Sequence, residues 1–124
     1  MSDQPPPQRT HHALDYLELG VTDLAATRAF YEQAFGWRFT AYGPDYAGFA
    51  DASGSSEVGG LNARRTPSSG GPLALLYSAD LDATADAVRA AGGTVTEGPY
   101  DFPGGRRLHF RDPSGNELGV WSSS

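Results

Sequence analysis

Cysteine is missing from the 124 residues, and so is lysine. Without cysteine there is no disulfide scaffold and no thiolate-held metal. All nine cationic side chains are arginines, set against 15 carboxylates, for a net charge of −6. An acidic surface repels phosphate, which argues against a nucleic-acid partner. No apolar run nears the ~20 residues that a bilayer span requires, and no signal-peptide pattern opens the chain. Membrane association and export are therefore unsupported, and a cytoplasmic protein is expected. No glycine-rich segment joins a strand to a helix with the spacing of a phosphate-cradling loop. What is present is 39% apolar residues, 19% charged residues and 16 glycines, in a length that fits one domain.

Residues 1–12, with Pro5-Pro6-Pro7 and His11-His12, are polar and proline-rich and read as a disordered leader. The domain is expected over 13–124. Leu14, Tyr16, Leu17, Leu19 and Val21 suit a mostly buried strand. Asp23 then caps a helix that Gly36 stops. Strands are predicted at Trp37 to Tyr42, Tyr46 to Asp51 and Glu57 to Asn62, separated by turn-type sequences. After a Ser/Pro/Gly-rich loop over Arg64 to Gly71 the same order returns. A strand at Leu73 to Ala79 leads to a helix from Asp80 to Ala91. Strands follow at Thr94 to Glu97, Arg106 to Arg111 and Glu117 to Trp121.

Sliding the chain on itself by 57 residues superposes Leu19 on Leu76, Asp23 on Asp80, Leu24 on Leu81 and Gly36 on Gly93. Ala26, Thr27 and Ala34 also meet their own kind, so seven of eighteen positions agree, both helix caps and both helix stops among them. The predicted fold class is α+β, with two βαβββ modules at about 14–63 and 72–121. Each is too small to bury its own sheet. Paired, they close a cup-shaped, eight-stranded mixed sheet with helices outside.

Three stretches, LDYLELGVTDLAATRAFYEQAFGW, LDATADAVRAAGGTV and GGRRLHFRDPSGNELGVW, resemble the vicinal oxygen chelate superfamily. That group holds glyoxalase I, extradiol dioxygenases, fosfomycin-resistance enzymes and bleomycin-resistance proteins. The resemblance implies a cup in which the enzymes hold a divalent metal that two substrate oxygens chelate. The usual histidines, seven residues before each helix-capping Asp, are replaced by Tyr16 and Leu73, and the usual glutamate by Gly119. Leu and Gly cannot ligate. The expectation is therefore a metal-free protein with no cofactor, similar to the bleomycin-resistance branch. Such members are homodimers that sequester a small molecule.

Strand alternation places Tyr16 and Glu18, then Leu73, Leu75 and Tyr77, then Glu117, Gly119 and Trp121 on the cup side. His109 and Arg107 join them from the preceding strand. Aromatic walls with a few polar groups fit a small-molecule site, for an aromatic or cationic ligand. Glu18, a carboxylate in an apolar strand, is either ion-paired to Arg107 or Arg38, or serves as a general base or ligand anchor. His109 is either a structural hydrogen-bonder or acid–base machinery. Two further arrangements are open: a Glu18/His109 acid–base pair, or a relocated metal site of Glu18, His109 and Glu117. Either would make the protein a lyase, isomerase or dioxygenase. Trp37 and Trp121 are packing or rim residues. Arg64-Arg65 lies on a solvated loop or caps a partner's pocket.

Overall fold

The computed structural model describes residues 9–124. Most of the expected leader lies outside these; His11 and His12 form an exposed turn. Module one is β1 (Leu17–Gly20), α1 (Leu24–Phe35), β2 (Arg38–Ala41), β3 (Tyr46–Ala50) and β4 (Gly59–Asn62). Module two is β5 (Leu75–Tyr77), α2 (Leu81–Ala90), β6 (Thr94–Phe102), β7 (Gly105–Arg111) and β8 (Glu117–Ser122). The eight strands form two four-stranded sheets of the same order, β1-β4-β3-β2 and β5-β8-β7-β6. In each, the first strand runs parallel to the last and the other pairs are antiparallel. No helix among the described residues is long and apolar enough to cross a membrane.

The predicted caps form. Asp23 and Asp80 each accept a hydrogen bond at 3.0 Å from the backbone N–H three residues on. Gly36 takes the left-handed conformation that closes α1. In module two that conformation falls to Gly92, one residue earlier than the repeat implies. Gly93 serves another purpose: a Cβ there would lie 2.6 Å from the Phe30 ring, so its bareness lets the end of α2 approach α1.

Strand β6 runs five residues further than predicted, to Phe102. The added stretch includes Gly98-Pro99, and proline donates no ladder hydrogen bond. The strand lies at the sheet edge and shifts register on either side of Glu97, so the missing donor costs nothing there. Conversely, the strand expected at Leu73 to Ala79 is regular only over Leu75–Tyr77.

Each helix covers one face of its own sheet, and α1 meets α2. The core is continuous between modules. Trp37 stacks between Tyr31 (4.4 Å) and Phe49 (4.3 Å), while Phe35 and Phe30 lie 5.4 and 5.9 Å from Phe110 of module two. Trp37 is thus a packing residue.

The turn Asp112-Pro113-Ser114-Gly115-Asn116 clasps the modules together. Asp112 is buried and accepts four hydrogen bonds of 2.9–3.0 Å, from the Ser114 and Asn116 backbones, the Asn116 amide and the Tyr31 hydroxyl of α1. The Asn116 amide also donates to the Gly20 carbonyl at 2.7 Å, and the Thr22 N–H donates to the Ser114 hydroxyl at 2.9 Å. The segment that carries the family resemblance is therefore a joint between modules.

Candidate functional site

The helices leave the opposite face of each sheet open. On the first sheet two glycines determine what that face can carry. A Cβ on Gly60 would lie 2.1 Å from the Tyr46 hydroxyl, and one on Gly48 would lie 2.2 Å from the Glu57 carboxylate. Their bareness lets Tyr46 and Glu57 lie flat on the sheet. Glu57 accepts from the Tyr42 hydroxyl at 2.7 Å and from Tyr16 at 2.9 Å. The Tyr46 hydroxyl is 2.9 Å from Tyr16 and 3.0 Å from Glu18, which also accepts from the Asn62 amide at 3.1 Å. Burial, then the bonds to Tyr46 and Glu57, pushes the Tyr16 phenol far above its ordinary value. Burial is also what chiefly raises Tyr46, and the Glu57 bond raises Tyr42. These phenols stay protonated and act as hydrogen-bond donors; none is a base at neutral pH.

Glu18 is ion-paired, but with neither expected arginine. Its partner is Arg65, whose Nε lies 3.7 Å away. Arg65 sits on the segment read as a solvated loop, which crosses the chain's own pocket as a strap. A Cβ on Gly20 would lie 2.5 Å from the Arg65 and Thr66 backbones, so the strap passes directly over the end of β1. It is pinned at Ser68, whose N–H donates to the Asn116 side chain (3.0 Å) and whose carbonyl accepts from the Glu117 N–H (3.1 Å). Beneath it lies a pocket of about 590 Å³ between the modules, lined by Glu18, Gly20, Arg65, Leu73, Asn116 and Glu117 among others. That volume lies within the range of small-molecule sites.

The open face of the second sheet is aromatic. Leu75 and Tyr77 are 44% and 59% exposed. Trp121 meets Tyr77 edge-on at 5.1 Å and Phe102 at 6.4 Å. His109 is 2.9 Å from the Tyr100 hydroxyl through Nε2 and 3.2 Å from Glu117 through Nδ1. The Arg107 guanidinium, 3.3 Å from Nε2, can only donate, so Nε2 accepts and Nδ1–H points at Glu117. His109 therefore stands behind Glu117, and it is Glu117 that meets the pocket.

Of the expected residues, Glu18, Leu73 and Glu117 meet at this pocket, and Leu75, Tyr77, Arg107, His109 and Trp121 lie on the second sheet's open face. Tyr16 belongs to the tyrosine network of the first sheet. Glu18 and His109 are not hydrogen-bonded to each other: Glu18 bonds Tyr46 and Asn62, and His109 bonds Tyr100 and Glu117. Among the described residues no three histidine or carboxylate side chains gather to hold a metal, so Glu18, His109 and Glu117 do not assemble a relocated site. The family's metal does not fit the residues present either. A side chain at Gly119 would lie 2.4 Å from Leu75 and 3.6 Å from Leu73, so leucines fill the space a ligating carboxylate needs. Tyr42, Tyr46, Glu57, Asn62, Tyr100 and Phe102 are not singled out by the sequence. The signal for Tyr46 and Glu57 was there, in glycines spaced along strands that otherwise carry side chains.

Residues 13–120 match the model of the glyoxalase/bleomycin resistance protein/dioxygenase superfamily. The anthracycline biosynthesis protein DauV of Streptomyces sp. (strain C5) is 34% identical over 124 residues, covering 86% of this chain and 45% of DauV. DnrV of Streptomyces peucetius, also an anthracycline biosynthesis protein, is 33% identical with the same coverage. The chain thus spans about half the length of the curated relatives it matches. TnmS3, an antibiotic binding protein from Streptomyces sp. CB03234, has the same fold, with a TM-score of 0.70, 23% identity, and 94% and 100% of the two chains covered. A glyoxalase/bleomycin resistance protein/dioxygenase family enzyme from Burkholderia phytofirmans PsJN superposes with a TM-score of 0.73 at 22% identity, covering 90% of this chain and 98% of that one. The clasp turn, the paired βαβββ modules and the family match agree: this chain belongs to the glyoxalase/bleomycin resistance protein/dioxygenase superfamily.

Proposed function

We propose that the protein is a metal-independent binder of an aromatic small molecule. The ligand sits at the intermodule pocket and against the aromatic face beside it. One observation carries the reading: Leu73 and Leu75 fill the place of the metal-ligating carboxylate, while Tyr77 stands exposed on the same sheet face with the half-buried Trp121 edge-on beside it. Exposed rings beside a lined pocket suit a planar ligand better than a hydrated ion. Glu18 and Glu117 would take the ligand's hydrogen-bond donors or a cationic group. The antibiotic-binding and anthracycline-biosynthesis relatives support this ligand class.

The test has two parts. Protein incubated with Zn, Ni, Mn and Fe(II) and then desalted is expected to hold below about a tenth of an equivalent of any metal. The same protein is expected to bind an anthracycline, read from quenching of tryptophan emission, with EDTA making no difference. Glu18→Ala should weaken that binding about tenfold or more. Near one metal per chain would overturn the reading and favour a lyase, isomerase or dioxygenase.

A homodimer belongs to the same proposal. Tyr16, Leu17, Val58, Leu75 and Tyr77 are large apolar side chains left between 39% and 59% exposed, more than a small acidic domain keeps wet without a partner surface. Sedimentation at micromolar concentration should give a two-chain species; monomer alone would refute the dimer.

A further inference from the structure

Most arginines of this acidic chain are spoken for. Arg28, Arg64, Arg65, Arg89 and Arg106 each have a carboxylate oxygen between 3.1 and 3.7 Å away. Arg38 and Arg111 have no such partner among the described residues but are solvent-exposed. Arg107 is different. It is half-buried, and among the described residues its guanidinium touches only neutral groups. Nε donates to the Tyr100 hydroxyl, Nη2 lies 3.3 Å from His109 Nε2, and the central carbon lies 5.7 and 5.9 Å from the Tyr100 and Phe102 ring centres.

The nearby carboxylates are directed elsewhere. Glu117 and Glu97 face His109 Nδ1 at 3.2 and 3.9 Å, and Asp82 takes Arg106. Nη1 has no hydrogen-bond partner among the described residues. No buried side-chain nitrogen is left unpaired, so Nη1 opens to solvent. A guanidinium fixed by a phenol, an imidazole and two ring faces has lost part of its hydration without gaining a counter-charge, which is costly unless an anion is supplied from outside.

The strand register shows where that anion would sit. Tyr77 pairs with Trp121, Trp121 with Arg107 and Arg107 with Tyr100. These four residues form one row across β5, β8, β7 and β6, on the face away from α2. Neighbouring strands are about 4.8 Å apart, so a ring resting on Tyr77 and Trp121 has Arg107 one strand away. We infer that this row is a subsite for an aromatic ring bearing an anionic oxygen, with the ring against Tyr77 and Trp121 and the oxygen on Arg107 Nη1. A guanidinium with its other nitrogens already engaged presents that donor in a fixed direction, which suits a carboxylate or phenolate oxygen. The inference rests on the aromatic-ligand reading and adds to it the charge and position of one ligand group.

Calorimetric titration with 2-naphthoate and with its neutral isostere 2-naphthamide, at about 0.15 M salt, tests it. Wild-type protein is expected to bind naphthoate about tenfold more tightly than naphthamide. In Arg107→Met the preference should fall to about one, through a loss of naphthoate affinity larger than any loss for naphthamide. Arg107→Gln is the second variant, with the same expectation, should the methionine protein fold poorly. Equal affinities in wild type, or a preference that survives both substitutions, would overturn the inference and leave the aromatic-ligand reading standing. Binding of neither naphthalene would overturn both.

Discussion

Thermal unfolding of an Asp112→Ala variant is expected more than about 10 °C below that of the wild type, for a loss of about 3–5 kcal/mol. Alanine would strand the Tyr31 hydroxyl, the Asn116 amide and two backbone N–H groups where water does not reach. The damage would spread, because Asn116 also holds the end of β1 and the strap. A shift of only a degree or two in a scanning calorimeter would show that the modules are held by the aromatic core alone. The pH dependence of the same site carries a definite sign. Burial pushes the Asp112 carboxyl above its ordinary value, with the Asn116, Tyr31 and Ser114 donors pulling it back. A carboxyl raised in the folded state binds its proton more tightly there than in the unfolded chain. Its stabilising contribution is therefore full below about pH 3.9 and is lost as pH rises through the folded value. The stability gap between wild type and Asp112→Asn, measured by denaturant titration, should widen as pH falls from about 7 to about 4. A gap that narrows would contradict this.

Gly20→Ala is the second substitution with a large expected effect. The new methyl would meet the Arg65 and Thr66 backbones at 2.5 Å. Backbone cannot swing aside as a side-chain tip can, so either β1 or the strap must move, at a cost of about 2–3 kcal/mol. The strap is the weaker of the two, since Ser68 is pinned through only two hydrogen bonds whereas β1 is paired with β4 along its length. Amide exchange at Ser68 is expected to accelerate strongly in Gly20→Ala while exchange at Leu61 stays slow. Ligand affinity should fall with it, because Arg65 leaves Glu18 when the strap lifts. Unchanged protection at Ser68 would mean that the strap does not depend on this close approach.

The sequence was legible wherever a local rule has a local cause. Asp23 and Asp80 were found as caps because a short acceptor at that position closes the first helical turn whatever lies beyond it. The sheet faces were found because alternation along a strand places Glu18, Glu117 and Trp121 on the side away from the helices. Alternation does not say how two sheets stand to one another, so it does not show that Glu18 bonds Tyr46 and Asn62 of its own sheet while His109 bonds Tyr100 and Glu117 of the other. The Arg65 strap and the Asp112 clasp were out of reach for the same reason, since both join residues more than forty positions apart. Tyr100 and Phe102 lie beyond the predicted end of the strand at Glu97, past Pro99, which an edge strand admits and a central strand does not.

The stacking of Trp37 between Tyr31 and Phe49 has an optical consequence. The chain's two indoles report on different events. Trp37, held at 4.4 and 4.3 Å between two rings of the first module's core, changes its emission when that core unfolds. Trp121 stands on the open face beside Tyr77, where a bound chromophore would quench it directly. Replacing either indole by phenylalanine thus separates a folding signal from a binding signal in one unlabelled molecule.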